Sequence, residues 1–354
     1  MPPGRKTVDL SAISDEELLN SRVCDLPLTI EGTWLADCIG KLYGELQERG
    51  LQFRPVCYLA DEWLTPTDET CIGIPFYLAH PRLIELEKRM MLEAEGETEP
   101  WCLRLLRHET GHAIGYAYRL QRKTGWKKFF GNPAKEYPET HRFRPYSKNY
   151  VQHLENFYAQ FHPDEDFVET FAVWLTPGLD WRAHYKGWGA LRKLEYIDTL
   201  MREIQGKAPV VKSANRYWRL STLRLTLKSF YARKKQFWAE DLPDFHDANL
   251  RRMFEPFSDP AGDPSIKEIG RWQVASQVLE KYREELLTQI SRWTGERKYV
   301  VDDLLKKVIR RSRELNLVTA QPEPRAVASI ASYLTTLVMN YQYTGRLRGK
   351  KRKR

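Results

Sequence analysis

Several features that would assign this chain to a familiar class are missing from its sequence. No apolar run is long enough to span a bilayer, so no membrane association is expected. The first twenty residues carry Arg5 and Lys6, then Asp9, Asp15, Glu16 and Glu17, with no apolar stretch, and do not read as a signal peptide. Cysteine is sparse. Cys24, Cys38, Cys57, Cys71 and Cys102 are odd in number and show no CxxC spacing, which argues against a disulfide framework and for a reduced, cytoplasmic setting. The sequence has no GxxxxGK[ST], GxGxxG or GxSxG motif, and nothing points to a nucleotide enzyme. There is no internal repeat.

What is present is ample material for a folded interior. Apolar residues make up 42% of the 354 and aromatics 12%, so the chain is globular, with one principal domain and a large appendage or with two domains. The formal charge of +9 is concentrated at one end: Arg346, Arg348, Lys350, Lys351, Arg352, Lys353 and Arg354 supply seven charges and leave +2 for the rest. Such a tail can bind nucleic acid or an acidic partner, but a solvated, disordered end explains it as well and it does not define a function.

The pattern along the chain predicts an N-terminal arm over residues 1–30, a catalytic domain over 31–207, a helical domain over 208–343 and a basic disordered tail over 344–354. Trp34, Leu35, Cys38, Ile39, Leu42, Tyr43 and Leu46 recur at helical spacing, and Gly50 is a natural stop. Strand-like runs follow at 52–59 and 71–78, separated by a polar turn. Pro55 and Pro75 remove ladder donors and put at least one of these strands at a sheet edge. A helix is expected from about Pro100 to Gln121, then a basic, aromatic loop of about 28 residues, long enough to be a functional cover or a disordered segment. Helices are expected near 150–161, 164–175 and 188–204. The C-terminal part reads as entirely helical, in segments near 222–240, 265–293, 298–315 and 325–341.

Arg107-His108-Glu109-Thr110-Gly111-His112 contains HExxH. Histidines four apart lie on one helix face and can hold one ion, with Glu109 beside them. A random chain of this composition would contain such a pattern only about 0.02 times, so coincidence is a poor explanation. Zinc held by two histidines and a third protein ligand keeps a position for water and lowers that water's pKa from about 16 to about 7. Glu109 can then take the proton and pass it to a leaving amine. The third ligand is not supplied by a longer motif, because HExxHxxGxxH would need histidine where Tyr118 stands. The stretch from His162 to Ala172 is the best source: a proline and three acids mark a helix start, and Glu165 and Glu169 share one face. On the residues alone, Glu165, His162 and Glu169 all remain candidates.

His108-Glu-Thr-Gly-His112, followed by Tyr158-Ala-Gln-Phe-His-Pro-Asp-Glu165-Asp-Phe-Val-Glu169, resembles the gluzincin pattern of a bacterial zinc-binding metallopeptidase family, and more distantly lethal-factor-type proteases. The resemblance runs from about Val23 to about Ile204. It implies that Glu165 is the third ligand, that Glu169 orients a ligand histidine, and that Tyr158 stabilises an oxyanion or protonates the leaving group. Each role is physically sensible. A carboxylate behind a ligand histidine is a common device, and a preorganised phenol at an oxyanion is worth on the order of 3 kcal/mol. The resemblance also implies a substrate-pairing edge strand, for which Ile74, Pro75, Phe76 and Tyr77 are the choice.

The expected fold is therefore α+β, a zincin-like domain with a small sheet above the HExxH helix, followed by a mostly helical domain. The expected activity is Zn2+-dependent hydrolysis of a peptide or protein substrate, with a narrow range. Two other readings stay open: a hydrolase of a non-peptide amide, and a non-catalytic zinc module whose tail binds nucleic acid. The presence of Glu109 weighs against the second, since a structural site needs no general base.

Overall fold

The computed structural model describes residues 10, 12–138, 143–144, 146–155, 157–235, 246–257 and 272–344. The basic tail beyond Thr344 and parts of the helical segments expected near 222–240 and 265–293 lie outside them. The architecture is α+β and mostly helical. In chain order the elements are α1 (Asp15–Asn20), α2 (Trp34–Glu48), β1 (Val56–Ala60), β2 (Cys71–Pro75), α3 (Pro81–Met91), α4 (Glu99–Ala117), α5 (Trp126–Phe129), α6 (Pro163–Leu175), α7 (Trp181–His184), α8 (Ala190–Ile204), α9 (Leu227–Lys235), α10 (Asp247–Met253), β3 (Glu255–Pro256), β4 (Gln273–Val274), α11 (Ala275–Lys281), α12 (Arg283–Thr294), α13 (Lys298–Glu314), β5 (Leu317–Thr319) and α14 (Glu323–Thr344).

Two compact units are present, residues 1–90 with 94–231, and 91–93 with 232–354. The division falls near 231 rather than at 207, because the segment after α8 is bound into the first unit. Val210 and Val211 donate to the Ala117 carbonyl, Thr70 N–H donates to the Ser213 carbonyl, and Tyr58 Oη donates to the Tyr217 carbonyl. The N-terminal arm is likewise part of that unit: Leu18 and Val23 are fully buried, and the Val23 and Cys24 N–H groups donate to the Leu225 and Leu223 carbonyls.

In the first unit, α2 buries Leu35, Cys38, Leu42 and Leu46 on one stripe. It ends where Gly50 adopts φ +72°, with Gly50 N–H bonding the Gln47 carbonyl and Leu51 N–H the Leu46 carbonyl, a paired closure that left-handed glycine permits. β1 and β2 pair in parallel, Val56 opposite Cys71 through Ala60 opposite Pro75. The connection between them runs back beside β2, where Leu64 and Gly73 exchange both backbone hydrogen bonds. α4 is anchored to α2 by a buried bidentate ion pair, Arg107 Nε to Glu45 Oε2 at 2.7 Å and Nη2 to Oε1 at 2.6 Å.

Three expectations are corrected. The helix expected over 150–161 is a 3-10 turn at Tyr158–Gln160 only; Phe157 has φ +55°, and the backbone before it is committed to tethers described below. The strand expected over 71–78 stops at Pro75 and becomes a 3-10 turn over Phe76–Ala79. The second unit is not wholly helical, since β3, β5 and β4 form an antiparallel three-stranded sheet. Strands of two or three residues are too short for hydrophobic alternation to register. The rest of that unit packs α10 to α14 around Leu279, Leu286, Leu305, Val308, Ile330 and Leu334.

Candidate metal centre

α4 and α6 meet at Gly111. A Cβ there would stand 3.0 Å from both Cα and Cγ1 of Val168. The bare glycine therefore sets how closely the two helices approach, and that approach brings His108, His112 and Glu165 together. One potential ligand atom from each lies within 4.8 Å of the others. Nε2 of His108 is 3.3 Å and Nε2 of His112 is 3.4 Å from Oε2 of Glu165. Ligands at about 2.0–2.1 Å from a tetrahedral zinc stand about 3.3 Å apart, so both spacings suit one ion. Among the described residues Glu165 Oε2 is also a buried oxygen with no hydrogen-bond partner, which a cation at this point would satisfy. The donor set therefore fits zinc.

Behind the imidazoles, His108 Nδ1 lies 2.7 Å from Glu169 Oε1, a carboxylate with no exposed surface. With Nδ1 donating its proton, Nε2 keeps its lone pair toward Glu165. Glu169 Oε2 accepts from the Leu154 N–H at 2.8 Å, and His153 Nε2 is 2.9 Å from the Arg104 carbonyl. These two tethers draw the segment before the 3-10 turn against α4 and α6. Burial pushes the His153 ring down to about 4, so it is a neutral donor.

Glu109 is buried, and Thr65 Oγ1 lies 2.8 Å from its Oε2 and 3.0 Å from its carbonyl oxygen. Burial raises its carboxyl above the usual range, while His108 and His112 pull it the other way. Burial alone would disfavour a charged His108 or His112, yet Glu165 and, at His108, also Glu169 outweigh it and raise both rings. Glu165, despite its burial, is held well below the ordinary carboxylate range by the two histidines. Gathered carboxylates around two imidazoles favour positive charge at this point, from protons or from a metal ion.

Tyr158 is half-buried with its ring 5.6 Å from that of His108, and burial raises its phenol. His162 is brought near but turned away. Its Nδ1 accepts the Asp164 N–H at the start of α6, and Nε2 donates to the Lys135 carbonyl at 2.7 Å, so both nitrogens are engaged elsewhere. Ile74 and Pro75 end β2 while Phe76 and Tyr77 lie in the following turn. All four are buried, and the outer side of β2 is closed at Gly73 by Leu64. An open edge strand over 74–77 is therefore not what the fold presents: the proline ends the strand and the aromatic pair turns inward.

Two neighbours of the site were not foreseen. Thr65 sits in a connection that carried no motif. Tyr137, from the long loop, donates to Glu165 Oε1 at 2.9 Å; the only signal for it was the loop's unusual length and aromatic content.

Residues 87–183 match the model of a family described as "putative zinc-binding metallo-peptidase". The matched stretch is under a third of the chain and contains α4, α6 and every candidate ligand, so the resemblance to a zinc-binding metallopeptidase family holds for the segment that builds the site, while the more distant likeness to lethal-factor-type proteases is not matched. No curated protein and no solved structure matches the chain. Among the described residues no helix is long and apolar enough to cross a membrane.

Proposed function

We propose that this protein is a zinc-dependent metallopeptidase with His108, His112 and Glu165 as ligands and Glu109 as general base. The observation that carries the proposal is Oε2 of Glu165, without a hydrogen-bond partner among the described residues, facing both Nε2 atoms at tetrahedral spacing. A zinc ion bound there supplies a Lewis acid and acidifies the water it binds. Glu109, beside the two histidines, would be the group to accept a proton from the attacking water and to return it to the leaving amine. Thr65 fixes the carboxylate in place, and burial makes it a stronger base than an exposed glutamate. Tyr158, raised by burial, stays a protonated donor beside His108 and is suited to the oxyanion or to the leaving group. Glu169 orients His108.

A peptide or protein is the substrate class, with a narrow range. The test is a peptide-library digest with zinc-loaded wild type and Glu109→Gln, with metal content measured on both. Cleavage by the wild type, lost by at least about 100-fold in a variant that keeps one zinc, is expected. If metal-loaded wild type cleaves nothing, or Glu109→Gln cleaves as well as wild type, the proposal fails.

A further inference from the structure

The most informative contact outside this catalytic set is made by the loop. Tyr137 has 48% of its surface exposed, yet its hydroxyl reaches a carboxylate that is almost wholly enclosed. It takes Oε1 of Glu165 and leaves Oε2 to the two histidines, so the two oxygens face different partners. The ring is fixed as well. It stacks on His162 at 3.8 Å and 15°, and His162 in turn grips the Lys135 carbonyl, two residues before Tyr137 on the same loop. Phe161 contacts the Tyr137 ring at 5.8 Å and stacks on Tyr158 at 5.7 Å, continuing the aromatic row to His108.

We propose that Tyr137 is a positioning residue for Glu165, and that it makes docking of the 131–138 loop and binding of the metal mutually dependent. The inference rests on the zinc reading above. A free glutamate side chain can rotate to offer either oxygen or both; the Tyr137 bond removes that freedom and presents Oε2 alone. Interactions of this outer kind typically change metal affinity by about 10–100-fold. Linkage then requires the reverse effect. If the docked loop tightens metal binding by some factor, bound metal favours the docked loop by the same factor. Occupancy of the centre would thus be read at the surface, on the segment whose Tyr137 touches Glu165.

The test uses the full-length protein and two measurements, zinc affinity by competition with a chromophoric chelator, and amide hydrogen exchange over 131–138 with and without zinc. Tyr137→Phe keeps the ring and its stacking on His162 and removes only the hydroxyl, with circular dichroism as the check on folding. The expected results are that zinc slows exchange over 131–138 in wild type, that Tyr137→Phe weakens zinc binding about 10-fold, and that zinc no longer slows exchange there in the variant. In a Glu165→Gln background the same substitution should have no further effect on the residual zinc affinity, because its target oxygen pair has already been changed. Equal zinc affinity in wild type and Tyr137→Phe, or loop exchange in wild type that ignores zinc, overturns the inference while leaving the zinc reading intact. A wild type that binds no zinc overturns both.

Discussion

Glu169 spends each of its oxygens on a different stretch of chain, one on His108 of α4 and one on the Leu154 N–H. Glutamine offers one acceptor and one donor, so Glu169→Gln leaves either the imidazole N–H or the Leu154 amide facing an NH2 group in an enclosed space. The expected outcome is zinc affinity reduced by about 10–100-fold, read by chelator competition; unchanged affinity would mean that His108 needs no orienting partner. The family resemblance implied this role for the residue; helical spacing alone put it on the face of Glu165 and left it a candidate ligand. Thr65 and Tyr137 were not legible in the sequence. Each meets its partner from an irregular connection, where spacing along the chain says nothing about which side chains will touch. His162 was misleading for a related reason: its residue type suits a metal, but capping α6 and holding the Lys135 carbonyl use both of its nitrogens.

The contact of α4 with α6 is what turns two motifs far apart in sequence into one site, and Gly111 governs it. Gly111→Ala gains helix propensity worth about 1 kcal/mol but must displace Val168, whose backbone and side chain both crowd the new methyl. Overpacking of this kind costs about 1–3 kcal/mol, so a lower melting temperature is expected. Zinc affinity should fall too, because moving α6 outward moves Glu165 from the histidines. A variant that is equally stable and binds zinc equally well would show that the helices can separate without consequence. These helices were readable because each has a long periodic stretch with a marked start, Pro100 in α4 and the His162-Pro163 entry in α6. The elements read wrongly were short or interrupted. The apolar run after Cys71 looks like one strand until Pro75 ends it, and residues 150–155 have helix-compatible composition but are held by side-chain tethers at His153 and Leu154 that a one-dimensional pattern cannot contain.

At the scale of the molecule, each unit has its own apolar core, and the second carries a pH-sensitive element of its own. His246 is 6% exposed, its Nδ1 lies 2.9 Å from Tyr333 Oη, and burial, with Lys307 adding to it and Asp247 opposing, lowers the ring to about 4. Arg311 neutralises much of Asp247 through paired bonds of 2.7 and 2.8 Å. An unfolded histidine takes its proton near 6.5, so between 6.5 and 4 the unfolded state binds more protons than the folded one. The contribution is fully present above 6.5 and lost as pH falls toward 4, by up to about 3 kcal/mol. Thermal unfolding of this unit should move to lower temperature across that window, and His246→Gln should flatten the dependence; a variant with the wild-type slope would place the sensitivity elsewhere.

The grip of Thr65 on Glu109 has a practical side. The hydroxyl sits on one carboxylate oxygen and on the carbonyl of the same residue, so an amide in place of the carboxylate can keep that anchor with its remaining oxygen. Changing Glu109 therefore disturbs neither the clamp formed by Glu169 nor the packing at Gly111. On the catalytic role proposed for Glu109, a copy silenced this way should retain the shape that recognises its target, which makes it the form with which to capture the natural substrate from a cell extract and learn what it is.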